Sequence, residues 1–153
     1  MNSDLSPPKR ADAQEQPRPS ANSHYRLMGG EQGVFRLVEH FYRIMDTDPY
    51  AATIRAMHPA DLSETKAVLF DYLSGWLGGP NLYEAKRGHP RLRRRHMRFS
   101  IGETERDQWM YCMANAMNEL GVEETLRSRL LAAFFKTADH LRNQQSMEPR
   151  EPQ

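Results

Sequence analysis

Between Gly88 and Trp109 the chain reads GHPRLRRRHMRFSIGETERDQW. His96 follows an arginine-rich turn and stands three residues before Phe99, and Trp109 sits in the next apolar stretch. An imidazole framed this way suits an iron centre. A neutral ring nitrogen is a good axial ligand for haem iron, and a single axial histidine leaves the opposite position open to a small molecule. Neighbouring guanidinium groups match carboxylates at the edge of such a cofactor in charge and hydrogen-bond geometry, with Trp109 towards its other face. The competing reading is a basic loop, because six arginines lie from Arg87 to Arg98 with no acid among them.

Positioning such a site requires helices, and the apolar spacing supplies four. Val34, Val38, Phe41 and Met45 recur at helical period, with Phe35 and Tyr42 beside them, between Gly29-Gly30 and Asp48-Pro49. A second helix opens after Pro59, with Asp61 or Ser63 as cap and Leu62, Leu69, Leu73 and Trp76 on one face, and stops at Gly78-Gly79-Pro80. The third spans about Glu103 to Leu120, with Trp109, Met113, Ala116 and Met117 inward. The fourth uses Leu126, Leu130, Ala133, Phe134, Thr137 and Leu141. No segment alternates with period two, so the fold class is all-α. Residues 80–102 form a long connection expected to hold at most a short helix around Arg91 to Met97.

The ends differ in composition. Residues 1–24 carry Pro7, Pro8, Pro17 and Pro19 among polar residues and balanced charges, with little to bury, and are expected to be disordered. Residues 143–153 are expected to be a shorter tail, leaving one domain over 25–142. A net charge of +1 provides no global reason to expect nucleic acid, a membrane or an acidic substrate. One cysteine, Cys112, excludes an intramolecular disulfide and a cysteine-held metal cluster. There is no apolar run of membrane-spanning length and no apolar leader, so the expected location is cytoplasmic.

Several motifs occur together in one order: Gly29-Gly30, Phe41-Tyr42, His58-Pro59, GWLGGP from Gly75, LYEAKRGHPRLRRRH ending at His96, then Phe99, Ile101, ERDQW ending at Trp109 and Cys112-Met113. In that order and spacing they resemble the group II truncated haemoglobins, the branch with a distal tryptophan, over about residues 25–142. The resemblance implies a truncated globin, a two-over-two helical sandwich around haem b.

It also implies roles for particular residues. His96 would be the proximal iron ligand, with Arg95 and Tyr83 reaching the haem carboxylates and Arg93 a weaker candidate for the same task. Arg91, Arg94 and Arg98 are read as solvated surface. Tyr42, Trp109 and His58 would form the distal set that donates hydrogen bonds to a bound ligand. Thr65 falls where larger globins carry a distal histidine and is too short for that work; apolar Leu69, one turn on, removes another possible donor. Phe41, Leu73, Met97, Phe99, Ile101, Met113 and Met117 would make the apolar wall. Among the remaining histidines, His89 shapes a turn, His24 lies at the domain's edge, and His40 and His140 face solvent.

The function implied is binding of O2, CO and NO at an iron with one open position. Preorganised donors stabilise partial negative charge on the ligand, which favours tight, slow-releasing oxygen binding with redox chemistry on O2, NO or peroxide. Such chemistry needs a reductase as partner, and peroxidase-like or NO dioxygenase activity, oxygen storage or transport, and sulfide chemistry all stay open. The chain would act as a monomer or homodimer. A haem-based sensing module without turnover is the second reading. The third is a haem-free helical adaptor whose basic stretch binds phosphate or nucleic acid.

Overall fold

The computed structural model describes residues 23–143, so the expected disordered extension and tail lie almost wholly outside the described residues. The described residues are helical, with no strand among them. The helices are α1 (His24–Leu27), α2 (Gly30–Thr47), α3 (Ala52–Ala56, after a 3-10 turn Pro49–Ala51), α4 (Ser63–Trp76), α5 (Leu82–Arg87), α6 (Leu92–His96), α7 (Glu103–Glu119) and α8 (Glu124–His140). The four long ones match the periodic segments of the sequence. Packing of α2 on α4, of α7 on α8, and of α2 against α7 builds the two-over-two sandwich.

Local chemistry explains the boundaries. Gly29, at φ 103°, starts α2 in a left-handed conformation. Gly33, inside that helix, is required by close approach, since a Cβ there would lie 1.7 Å from the Met28 carbonyl oxygen. The carboxylate of Asp61 accepts the Ser63 amide at 3.0 Å and so starts α4. Glu105 accepts the Gly102 amide at 2.7 Å at the head of α7. Glu123 accepts the amides of Thr125 and Leu126 at 2.9 and 3.0 Å at the head of α8.

The core is continuous across the sandwich. Phe41, Leu37, Met45, Leu73, Met113, Met117 and Leu130 are among its fully buried side chains. Burying one such side chain contributes about 1.5–3 kcal/mol relative to leaving it exposed. Phe35, read as lying beside the stripe, stands 51% exposed, whereas Tyr42, read likewise, is buried. Phe35 follows Val34 by one residue, and a step of about 100° rotates it off the buried face.

Two short helices, not one at most, occupy the connection between α4 and α7. The unexpected one, α5, is held by tertiary contacts that period cannot reveal. Tyr83 is buried, and the buried carboxylate of Asp71 on α4 receives Lys86 Nζ at 3.2 Å and the Arg87 guanidinium. Arg87 thus belongs to a structural ion pair and leaves the basic stretch one charge poorer. At the other end, Asn143, assigned to the tail, is anchored to the residues after α6. Its amide nitrogen donates to the Ile101 carbonyl at 2.8 Å, and its side chain accepts the Ile101 amide at 2.9 Å.

Candidate functional site

His96 closes α6, and its Nδ1 lies 2.7 Å from the Leu92 carbonyl oxygen. A carbonyl only accepts, so Nδ1 carries the proton and Nε2 presents its lone pair. Nε2 has no hydrogen-bond partner among the described residues. A backbone bond to the remote ring nitrogen is the arrangement that fixes tautomer and orientation in metal-binding histidines. Asn143 Nδ2 steadies the same segment by donating to the carbonyls of His96 and Phe99, at 3.3 and 2.8 Å.

His58 repeats that geometry from the opposite side of the sequence. Its Nδ1 lies 2.7 Å from the Ile54 carbonyl, four residues back, and its Nε2 also lacks a partner among the described residues. Burial holds its proton affinity below the ordinary histidine range, against the pull of the Ile54 bond, and the charges of Arg55 and His96 depress it further. The two imidazoles are therefore within electrostatic reach of one another. The Arg55 fork pins the loop beyond His58, reaching the carbonyls of Pro59 and Ala60, both at 3.0 Å.

Tyr42 stands beside His58, their ring centroids 5.9 Å apart, and is 4% exposed. Burial raises its phenol above the usual tyrosine value, keeping it a neutral donor. Its hydroxyl has no partner among the described residues, and neither has the Trp109 indole N–H. Phe41 separates the two rings, with centroids 4.9 Å from Tyr42 and 5.2 Å from Trp109. A pocket of about 350 Å³ lined by Glu39, Arg43, Leu62 and Lys66 reaches Tyr42 from solvent. The adjoining Cys112 thiol is buried and pushed up to about 12, which makes it an inert part of the wall.

The other expected residues fall into two groups. Arg95 and Tyr83 come together, with the guanidinium 5.9 Å from the Tyr83 ring centroid and its Nε on the Pro90 carbonyl at 2.9 Å. Leu73 and Met113 are fully buried, Ile101 is buried, and Thr65, Leu69 and Phe99 are partly exposed. Met97, expected in the apolar wall, stands 66% exposed on the turn after α6. His89 accepts the Arg91 amide at 3.1 Å within its turn. His140 is exposed, whereas His40 is tied to Glu119 at 2.7 Å.

Sequence reasoning missed the residues that position this set. Gln108, 6% exposed, accepts the Ile54 amide at 3.1 Å, and Ile54 in turn accepts from His58. Phe134 sits between two tryptophans, stacked 4.2 Å from Trp76 and edge-on 5.4 Å from Trp109. Phe134 was legible only as one of the fourth helix's apolar residues, and the one signal for Gln108 was its place next to Trp109.

The residues match a haem group chemically. A lone imidazole Nε2, a guanidinium and phenol pair suited to carboxylates, and two unpartnered buried or half-buried donors are the polar set that such a planar, apolar, carboxylate-edged cofactor needs.

Comparison with known proteins agrees. The family model described as bacterial-like globin matches residues 23–143. Group 2 truncated hemoglobin YjbI of Bacillus subtilis (strain 168) is 37% identical over 131 residues, covering 86% of this chain and 96% of the relative. The structure of the group II 2-on-2 hemoglobin from the plant pathogen Agrobacterium tumefaciens is similar with a TM-score of 0.78 at 46% identity, over 82% of this chain and 98% of that one. A truncated oxygen-avid haemoglobin from Bacillus subtilis is similar with a TM-score of 0.74 at 36% identity, over 80% and 100%.

Proposed function

The chain belongs to the bacterial-like globin family, in its group II truncated branch, and from that premise we propose that it binds haem b through His96 Nε2 and holds a diatomic ligand between Tyr42, Trp109 and His58. Haem-based binding of oxygen and similar small ligands follows from the family itself; the residue roles, the tightness and the chemistry are our reading. The haem-free adaptor is set aside by the family membership.

The observation that carries the reading is the set of four polar atoms without partners among the described residues: His96 Nε2, His58 Nε2, Tyr42 Oη and Trp109 Nε1. None of the four is sealed from solvent, so a molecule that enters can complete their bonding.

When bound, haem supplies an iron with one position for the protein and one for a small ligand. The chain's own part is electrostatic and steric. His96 is held by Leu92 so that Nε2 is the free nitrogen. Tyr42, neutral at every physiological pH, donates from its hydroxyl, and Trp109 donates from its indole. Each neutral hydrogen bond contributes about 0.5–1.5 kcal/mol, so the pair together can slow ligand release by a factor on the order of a hundred. The oxygen avidity in the description of the Bacillus subtilis relative supports this reading.

Slow release suits redox chemistry on O2, NO or peroxide better than delivery, and such turnover draws electrons from a reductase. His58 departs from its expected role as a donor: with Nδ1–H on the Ile54 carbonyl and its proton affinity lowered, the neutral ring offers Nε2 as an acceptor, where a proton taken up in turnover would go. The test is an absorption spectrum of the purified protein beside a His96→Ala variant. A haem band in the first that is lost or altered in the second is expected. Identical spectra would remove His96 as ligand.

A further inference from the structure

A cleft of about 780 Å³ opens between the end of α4, the residues preceding α6, and the end of α8. Its walls combine the rings of Tyr72 and Trp76, and of Tyr83 where the cleft borders the proposed haem carboxylate edge, with Arg91, Arg94 and Arg93, the weaker of the haem carboxylate candidates, against a single carboxylate, Glu84. His89 and His140 add two titratable rings. Elsewhere some cations pair with acids, as Arg55 with Asp46, Lys66 with Glu39 and Arg106 with Asp139, while scattered ones such as Arg36, Arg129 and Lys136 have no ion pair among the described residues; the cleft differs in gathering three unpaired ones in one concave place. None of the ion pairs among the described residues involves the three cleft arginines.

The Arg93 guanidinium is bonded only to the neutral carbonyl of His140, at 2.7 Å, and the side chains of Arg91 and Arg94 have no partner among the described residues. Three permanent positive charges thus face one negative in a concave site, although the whole chain carries a net charge of only +1. Arg91 is also the one non-glycine residue at positive φ among those described, at 47°. Backbone held in that region against its preference concentrates at ligand sites.

We propose that this cleft binds a polyphosphate anion, and that the bound anion restrains α6 and with it His96. Closely set guanidinium groups recognise phosphate oxygens through paired, charge-assisted hydrogen bonds. The volume lies in the range of small-molecule sites and well above what one phosphate fills. The mechanical link is short. Leu92 lines the cleft, and its carbonyl holds His96 Nδ1. An anion bridging Arg93 and Arg94 engages a helix of five residues that ends at His96. Coupling of this kind is reciprocal, so the anion changes ligand affinity at the iron and the ligand changes affinity for the anion.

The coupling rests on the haem reading above; the binding does not. The experiment is calorimetric titration of the haem-loaded protein with inorganic triphosphate and with ATP at low salt. Oxygen dissociation rates are then measured with and without each anion. The comparison variant is Arg91→Gly/Arg94→Ala, which removes two charges and puts glycine where φ is positive.

Saturable, salt-sensitive binding that weakens at least about tenfold in the variant is expected, together with a severalfold shift of the oxygen rate in the wild type alone. Tighter binding of ATP than of triphosphate identifies an aromatic base as part of the ligand, and equal binding identifies the phosphate chain; both uphold the site. No saturable binding, equal binding by the variant, an unmoved oxygen rate, or binding only to haem-free protein overturns it. The last result would assign the cleft to the haem carboxylates. Failure to take up haem at all is read separately, in the absorption spectrum.

Discussion

His58 and His96, thirty-eight positions apart in the sequence, are oriented by the same device: each gives its Nδ1 proton to the carbonyl four residues earlier, at 2.7 Å. Both rings therefore present Nε2. Their surroundings differ. His96 ends a short helix among arginines, whereas His58 lies against Tyr42 under a pinned loop.

The distal donors are separable by mutation. Tyr42→Phe deletes one neutral hydrogen bond and keeps the ring; Trp109→Phe deletes another and leaves a smaller aromatic ring. The oxygen dissociation rate should rise about threefold to tenfold in each. Stopped-flow displacement by CO measures it, and unchanged rates in both variants would remove the two residues from the ligand's surroundings.

Gln108 should matter to stability beyond its size. Gln108→Leu leaves the Ile54 amide buried without its acceptor, which costs about 1–3 kcal/mol. Urea unfolding reads the loss. Because Ile54 also orients His58, the same variant should broaden the distal environment, seen as a split or shifted C–O stretch in the CO complex.

His58 predicts a pH dependence with a definite sign. Its folded proton affinity lies below the unfolded value, so the unfolded chain binds more protons in the window between them. Stability contributed by the neutral buried ring is present at pH 7 and is lost as pH falls through about 6.5 towards the folded value. Denaturant midpoints measured from pH 7.5 down to 5 should show this decline in the wild type and less of it in His58→Leu. Below that window a second decline is expected, since hydrogen bonds hold the carboxyls of Asp48, Glu123 and Asp139 below their usual range. Carboxylates with lowered values stabilise the fold above the ordinary range and cease to do so as acid protonates them.

Asn143 closes the segment that carries His96. Asn143→Ala removes side-chain bonds to His96, Phe99 and Ile101. A destabilisation of about 1–3 kcal/mol is expected, with faster haem loss to an apo-globin acceptor than in the wild type. An unchanged loss rate would mean that the segment is held well enough without it.

Asp71 gives a further structural test. Asp71→Asn weakens a buried acceptor for Lys86 and Arg87, whose own side chains remain partly in water. A cost of about 1–3 kcal/mol is expected, less than for a wholly buried pair because the cations stay solvated. Loosening should concentrate in α5, read by hydrogen exchange at Tyr83 and its neighbours.

The sequence by itself determined the long helices and the types of group at the site. Apolar residues at helical period, bounded by Gly29-Gly30, Asp48-Pro49 and Gly78-Gly79-Pro80, specify where chain can coil and must stop, because those signals act over one or two turns. His96, Tyr42 and Trp109 were legible as a motif set in order. What only the tertiary structure decided is which groups meet. Gln108 reaches Ile54, Asp71 reaches Lys86 and Arg87, Phe134 wedges Trp109, and Asn143 binds Ile101. Each of these joins residues too far apart for a shared local period. Hydrogen bonds and ring contacts form wherever the folded path brings partners within a few ångströms, and that path is set by how whole helices pack, not by any one stretch of residues.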